Sequence, residues 1–163
     1  MRYHALLLML LLTGCEPRRA PPPAQWFEGL PVRGSRADAE RAGFTNCFSM
    51  SAQSLRCRRG GVMLWGQGPY VAAVDLLYSD GSGGFEALTL WHDRDQNAVA
   101  TVGDLLNKEG WQTCRTGENE NQGDQEIYTK AGSPVRLSMD LSYWGKRRLR
   151  LLPELNQPTG HCW

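Results

Sequence analysis

The sequence predicts an α+β fold of two tandem helix-plus-antiparallel-sheet repeats, forming one extended sheet with the helices on one face. Three observations lead there. Two short helical stretches end in closely similar phrases, GFTNC at residues 43–47 and GWQTC at residues 110–114. Each phrase is followed by about four strand-like runs, rich in valine, leucine and aromatics and divided by Gly, Asp and Ser turns. Matching anchors then recur in the same order: DLLY at 75–78 answers DLSY at 140–143, and LTL at 88–90 answers LRL at 149–151.

The elements can be justified in turn. Ser35 and Asp38 make an S-x-x-D helix start, in which hydroxyl and carboxylate satisfy free amides. The helix runs to Ala42 and stops at Gly43, because glycine tolerates the left-handed conformation of a helix end. Its apolar side is only Ala37, Ala39 and Ala42, so packing must hold it. Strands are expected over residues 45–51, 61–66, 70–78 and 85–91. The glycine-rich stretch 80–84 (DGSGG) lacks the helix and lysine of a phosphate loop and reads as a hairpin turn. In the second repeat Asn97 is expected to cap a helix over 98–109, closed by Gly110. Val99, Val102 and Leu106 fall on one stripe of that helix, with Leu105 beside it. Strands follow over 112–116, 125–130, 135–143 and 147–152. Phe44 and Trp111 each sit just past a helix and are expected to pack beneath it. The polar loop 117–124 (GENENQGD) has no counterpart in the first repeat and reads as a recognition loop or an insertion.

The N-terminus sets the compartment. Arg2 precedes an apolar run over residues 5–12, too short for a membrane span, which needs roughly 20 residues. A charged start, a short apolar stretch and small residues form the pattern of a secretory signal. Leu12, Thr13, Gly14 and Cys15 resemble the lipobox of bacterial lipoproteins. The resemblance implies cleavage before Cys15 and acylation there, so that lipid on Cys15 holds the protein to a membrane. Glu16 follows the cysteine where inner-membrane lipoproteins tend to carry Asp, which implies the outer membrane, facing the periplasm. The expected organisation is a signal peptide over 1–14, a lipidated Cys and Pro-rich tether over 15–34, the first repeat over 35–96 and the second over 97–163. Proline favours extended polyproline II, so EPRRAPPPA at 16–24 suits a semi-rigid spacer.

The chain holds 18 Lys and Arg against 17 Asp and Glu. Loss of Arg2 with the signal balances them, and no basic surplus points to nucleic acid. Four cysteines remain after Cys15, an even number in an exported chain, where disulfides are the expected state. Cys47 and Cys57 fall on successive strands, close enough to staple a hairpin. The expected pairs are Cys47–Cys57 and Cys114–Cys162, the second pinning the C-terminal tail across its repeat.

Residues with catalytic potential are few. His92 lies in WHDRD with Asp93 and Asp95, which would suit a general base or a metal ligand, or simply a charged strand-to-helix turn. His161 adjoins Cys162, but a cysteine in a disulfide is no thiolate nucleophile. The cysteine spacings match no common zinc pattern, and no cofactor is expected. Two basic runs, RCRR at 56–59 and KRRLR at 146–150, read as solvated strand faces or as binding surface. Tyr143, Trp144 and Arg148 form the best local group, because exposed Arg beside Trp and Tyr is the composition of interface hot spots.

The order of elements resembles the tandem repeats of the β-lactamase inhibitor protein fold and the small BamE-like lipoproteins of outer-membrane assembly. The latter group's Leu-Gly-x-Pro near a first helix is missing, so its function is not carried over. The reading is a non-catalytic envelope lipoprotein that binds a protein or peptide partner, of inhibitor, immunity or assembly type. The alternatives are an envelope hydrolase using His92 with Asp93 or Asp95, and a purely structural tether.

Overall fold

The computed structural model describes residues 17–117, 124–141 and 147–162. In chain order the elements are β1 (Gln25–Phe27), β2 (Leu30–Arg33), α1 (Arg36–Arg41), β3 (Asn46–Ser51), β4 (Ser54–Leu64), β5 (Gln67–Leu77) and β6 (Leu88–Trp91). They continue with α2 (Ala100–Lys108), β7 (Gln112–Arg115), β8 (Gln125–Thr129), β9 (Val135–Asp140) and β10 (Leu149–Pro153). β1 and β2 pair as a separate hairpin. The other strands form one eight-stranded sheet in the order β3-β4-β5-β6-β10-β9-β8-β7, with every neighbouring pair antiparallel. The fold is therefore mixed helix and strand, built mostly of antiparallel sheet.

Successive side chains point to opposite faces of a strand, so the register sorts the sheet into two faces. Leu55 and Cys57 of β4, Val74 and Leu76 of β5, and Leu88 and Leu90 of β6 lie on one face. Leu149 and Leu151 of β10, Leu137 and Met139 of β9, and Tyr128 of β8 continue it. All are buried in one cluster that also holds Ala39 of α1 and Val102 and Leu106 of α2. Burying each such side chain contributes about 1.5–3 kcal/mol, which is how a helix as short as α1 persists.

The two Gly-aromatic-Cys phrases are helix ends of the same geometry. Past α1, the Gly43 amide donates to Glu40 O and the Phe44 amide to Ala39 O; past α2, Gly110 donates to Asn107 O and Trp111 to Leu106 O. Both glycines have positive φ, +84° and +78°. This is the Schellman pattern, in which two amides past the end satisfy two orphan carbonyls. Phe44 is fully buried, and Trp111 packs edge-on against Phe27 and Trp65, with ring centroids 6.2 and 6.4 Å away.

Several boundaries differ from expectation. Ser35 caps α1 through the full capping box, but α2 starts at Ala100 and its N-cap is Val99, which offers no side-chain acceptor. Asn97 belongs to the preceding turn: its own amide is held by Asp95 Oδ1, and its carbonyl receives the Ala100 amide. β4 begins at Ser54 rather than at residue 61, because Gly60 and Gly61 lie in a register shift within the strand instead of breaking it. The Pro-rich tether expected up to residue 34 is shorter. The β1–β2 hairpin occupies residues 25–33, and its Leu30 and Val32 enter the core. Glu28 and Gly29, both with positive φ, form the two-residue turn such a hairpin requires. Even residues 18–19 lie against the domain, with Arg18 on Asp80 and Arg19 on Glu86.

Both expected disulfides, Cys47–Cys57 and Cys114–Cys162, are formed. Cys114 lies on the face opposite the main core, paired with Ile127 of β8. The tail therefore crosses that second face. Gly160 donates to Thr129 Oγ1, and Arg136 bridges Glu154 and the Cys162 carbonyl. Beneath it Ile127, Arg136 and Ser138 are buried, so the second half of the sheet is covered on both sides.

Candidate binding site on the open sheet face

The tail leaves the first half of that same face open. Cross-strand partners run Arg58 (β4), Ala73 (β5), Thr89 (β6) and Arg150 (β10), with Arg56 opposite Asp75 in the adjacent row. Arg148 lies just before β10 and reaches the same place. Arg56, Arg58, Arg148 and Arg150 thus line one shallow hollow of about 200 Å³, together with Asp75, Thr89, Trp91 and Asp93. The two basic runs, far apart in sequence, meet because β6 and β10 form the seam of the sheet.

The four guanidinium groups are not equivalent. Arg56 is committed: Nε and Nη2 donate to the two oxygens of Asp75 at 2.6 and 2.7 Å. That bidentate bond holds the Arg56 pKa above its ordinary value, against the opposing effect of burial. Arg58 is held by rings instead, its guanidinium carbon 4.7 Å from the Phe48 centroid and 5.4 Å from that of Trp91. Cation–π contacts of this kind contribute about 0.5–2 kcal/mol. Its Nε is buried and has no hydrogen-bond acceptor among the described residues. Arg148 and Arg150 have no ion-pair partner among the described residues, and Arg148 is exposed. Trp91 is fixed from the other side by its indole N–H on Asp93 Oδ1 at 3.1 Å.

Apolar side chains stand around this basic patch. Phe48 on β3, Met63 on β4 and Leu77 on β5 alternate onto the open face and are 36%, 50% and 41% exposed. Half of the exposed large hydrophobics among the described residues therefore lie on this half of one face. Phe48 adjoins the arginines through Arg58, while Met63 and Leu77 lie toward opposite ends of the β4–β5 pair.

Of the residues singled out in the sequence, Arg148 lies in the hollow, while Tyr143, Trp144 and Cys15, the expected lipidation site, are outside the described residues. Loop residues 118–123 are outside them as well. The ends of that loop are joined, with the Thr116 amide donating to Gln125 O. His92 serves the β6–α2 turn, where its Nδ1 accepts the amides of Arg94 and Asp95 at 3.3 and 2.9 Å. Asp93 and Asp95 accept from Trp91 and from the Asn97 amide, so all three polar groups are engaged locally. No group of three or more His, Cys, Asp or Glu that could hold a metal occurs among the described residues. Nor is any helix among them long and apolar enough to cross a membrane.

A second hollow of about 600 Å³ lies at the C-terminal end of α2, lined by Phe27, Trp65, Leu105, Trp111, Lys130 and Pro134. Lys130 Nζ there donates to Glu109 O and so caps the helix. No convergent set of charged groups gives this groove a chemical preference. Sequence reasoning missed Phe48, Met63 and Leu77 as surface residues; the alternation Phe48-Ser49-Met50 was the available signal, but only the sheet order shows which face is open. No family model, curated protein or solved structure matches this chain.

Proposed function

We propose that this chain is a membrane-anchored lipoprotein of the bacterial envelope, lipidated on Cys15, that works as a non-catalytic protein- or peptide-binding module of inhibitor, immunity or assembly type. The lipobox-like run at residues 12–15 and the paired cysteines support the exported reading, and Glu16 after the run supports the outer membrane. The carrying observation for binding is the convergence of Arg58, Arg148 and Arg150 with Trp91, and with Phe48 beside Arg58, on the uncovered half of the sheet. Arg, Met and aromatics are the residues enriched in protein interfaces, and hot spots are built from the same types. Engagement of His92, Asp93 and Asp95 within one turn supports the non-catalytic side of the reading.

The two halves are read as tandem copies of one unit. α1 followed by β3–β6 has the same order as α2 followed by β7–β10, and the sheet order runs inward from each outer strand to the β6–β10 seam. The identical helix-end geometry at Gly43 and Gly110 belongs to the same reading. On this account the tail stapled by Cys114–Cys162 covers one copy and leaves the other to bind.

Recovery of partners from crosslinked envelopes tests the function, with the full-length protein as bait beside Cys15→Ser, Arg148→Ala and Phe48→Ala. The expected result is loss of labelled acyl incorporation in Cys15→Ser and loss of a common partner in the other two. A partner retained equally by Arg148→Ala and Phe48→Ala removes the open face as the docking surface.

A further inference from the structure

The open face also points to what its partner presents. We infer that the hollow between β4 and β10 receives a carboxylate side chain of an acidic protein segment laid across β3–β6. This rests on the binding role proposed above and adds the chemistry of the partner.

The charge count comes first. Arg56, Arg58, Arg148 and Arg150 face Asp75 and Asp93 in the hollow, an excess of two positive charges on a chain whose formal net charge is only +1. Arg56 and Asp75 neutralise each other through two short bonds, so the surplus sits on Arg58, Arg148 and Arg150. The Arg58 guanidinium lies over the Phe48 and Trp91 rings, which restricts its freedom before any ligand arrives. A planar fork held in place suits a carboxylate, whose two oxygens it can meet with parallel hydrogen bonds. Arg56 on Asp75 is an example of that geometry within the same hollow.

The surroundings favour a protein over a lipid headgroup or free anion. All four cations are arginine, and they sit on a sheet face beside Phe48 and Trp91. With Arg56 and Asp75 paired, Asp93 offsets one of the three remaining arginines, so two positive charges are left to a ligand. The neighbouring apolar side chains would cover the aliphatic part of the same segment and keep water from the ion pair, as the rim of a hot spot does.

Selection of a random dodecapeptide phage library on the full mature chain, followed by calorimetry with the recovered peptides, tests this. Arg148→Gln/Arg150→Gln and Phe48→Ala serve as variants, each first shown by circular dichroism to melt like the wild type. Enriched Asp or Glu is expected, with affinity falling at least about tenfold in the arginine double variant and on replacing the acidic residue by its amide. That is the effect of losing a charge-assisted hydrogen bond of about 1.5–3 kcal/mol. Uncharged peptides that need Phe48 but ignore the arginine pair would overturn the carboxylate inference and leave the docking face standing. Peptides indifferent to both variants, or no enrichment at all, would overturn both. Cosedimentation with phosphatidylglycerol vesicles that depends on Arg148 and Arg150, without acidic peptides in the selection, would overturn the inference in favour of a membrane surface.

Discussion

Gly103, in the middle of α2, sets helix propensity against packing. Propensity alone favours Gly103→Ala by about 1 kcal/mol. A methyl group at that position would instead meet the Tyr128 hydroxyl as its nearest neighbour, with Tyr128 Cζ at 3.3 Å and Met139 Cε at 3.5 Å. Tyr128 has little room to retreat: it is 1% exposed and its hydroxyl donates to Glu126 Oε2 at 2.8 Å. Burial, with Glu126 beside it, pushes the phenol pKa well up and keeps the group neutral. Overpacking of a filled site costs about 1–3 kcal/mol, so with the propensity gain set against it the net loss runs up to about 2 kcal/mol. Urea denaturation of Gly103→Ala, Tyr128→Phe and the double variant separates the two effects. Tyr128→Phe alone loses about 1 kcal/mol with its hydrogen bond. In the double variant the added methyl fits where the hydroxyl was, so the combined loss should fall short of the sum by about 1 kcal/mol. A Gly103→Ala variant more stable than the wild type by the full propensity gain of about 1 kcal/mol, or strict additivity, would refute the close packing of α2 on β8.

Other outcomes follow from the same structure. Cys114→Ser/Cys162→Ser opens a link with a sequence separation of 48, and chain entropy puts the loss near 4 kcal/mol; a denaturation curve shifted by under about 1 kcal/mol would contradict a stapled tail. Gly110→Ala places a side chain at φ +78° with nothing within 4 Å of it, so backbone strain alone should cost about 1 kcal/mol, read as a lower melting temperature. The Ser35 hydroxyl and amide hold Asp38 below its ordinary pKa, with Arg41 adding to the effect. Its stabilisation is therefore present above the unfolded value of 3.8 and disappears as pH falls through the lowered folded value. Asp38→Asn should be less stable than the wild type at pH 7, and the gap should narrow in thermal melts as pH falls below 3.8.

Much of the fold was legible because local chemistry agreed with tertiary structure. Ser35 with Asp38, Gly43 and Gly110 each mark a helix end through a hydrogen bond that the residue type itself predicts. The cysteine pairing was legible for a similar reason, since Cys47 and Cys57 needed only a hairpin to meet. Errors arose where packing overrode local signals. Gly60 and Gly61 look like a break but lie inside β4, whose pairing with β5 continues on either side of them. Asn97 looks like a cap, yet Asp95 engages its amide and α2 starts three residues later. The Glu28-Gly29 turn carries a hairpin signal that the neighbouring prolines obscure. The site was legible only in fragments. Residues 56–58 and 148–150 meet through the order β4-β5-β6-β10, and no periodicity within either run states that order.

Site-specific photo-crosslinking in cells tests the docking face most directly. A benzophenone side chain is placed in turn at Phe48, Met63 and Leu77 on the open face, and at Trp26 and Leu155, which are exposed elsewhere. The account predicts crosslinks to one partner from the first three positions and not from Trp26 or Leu155. Crosslinks confined to Trp26 or Leu155, or spread evenly over all five, would contradict it.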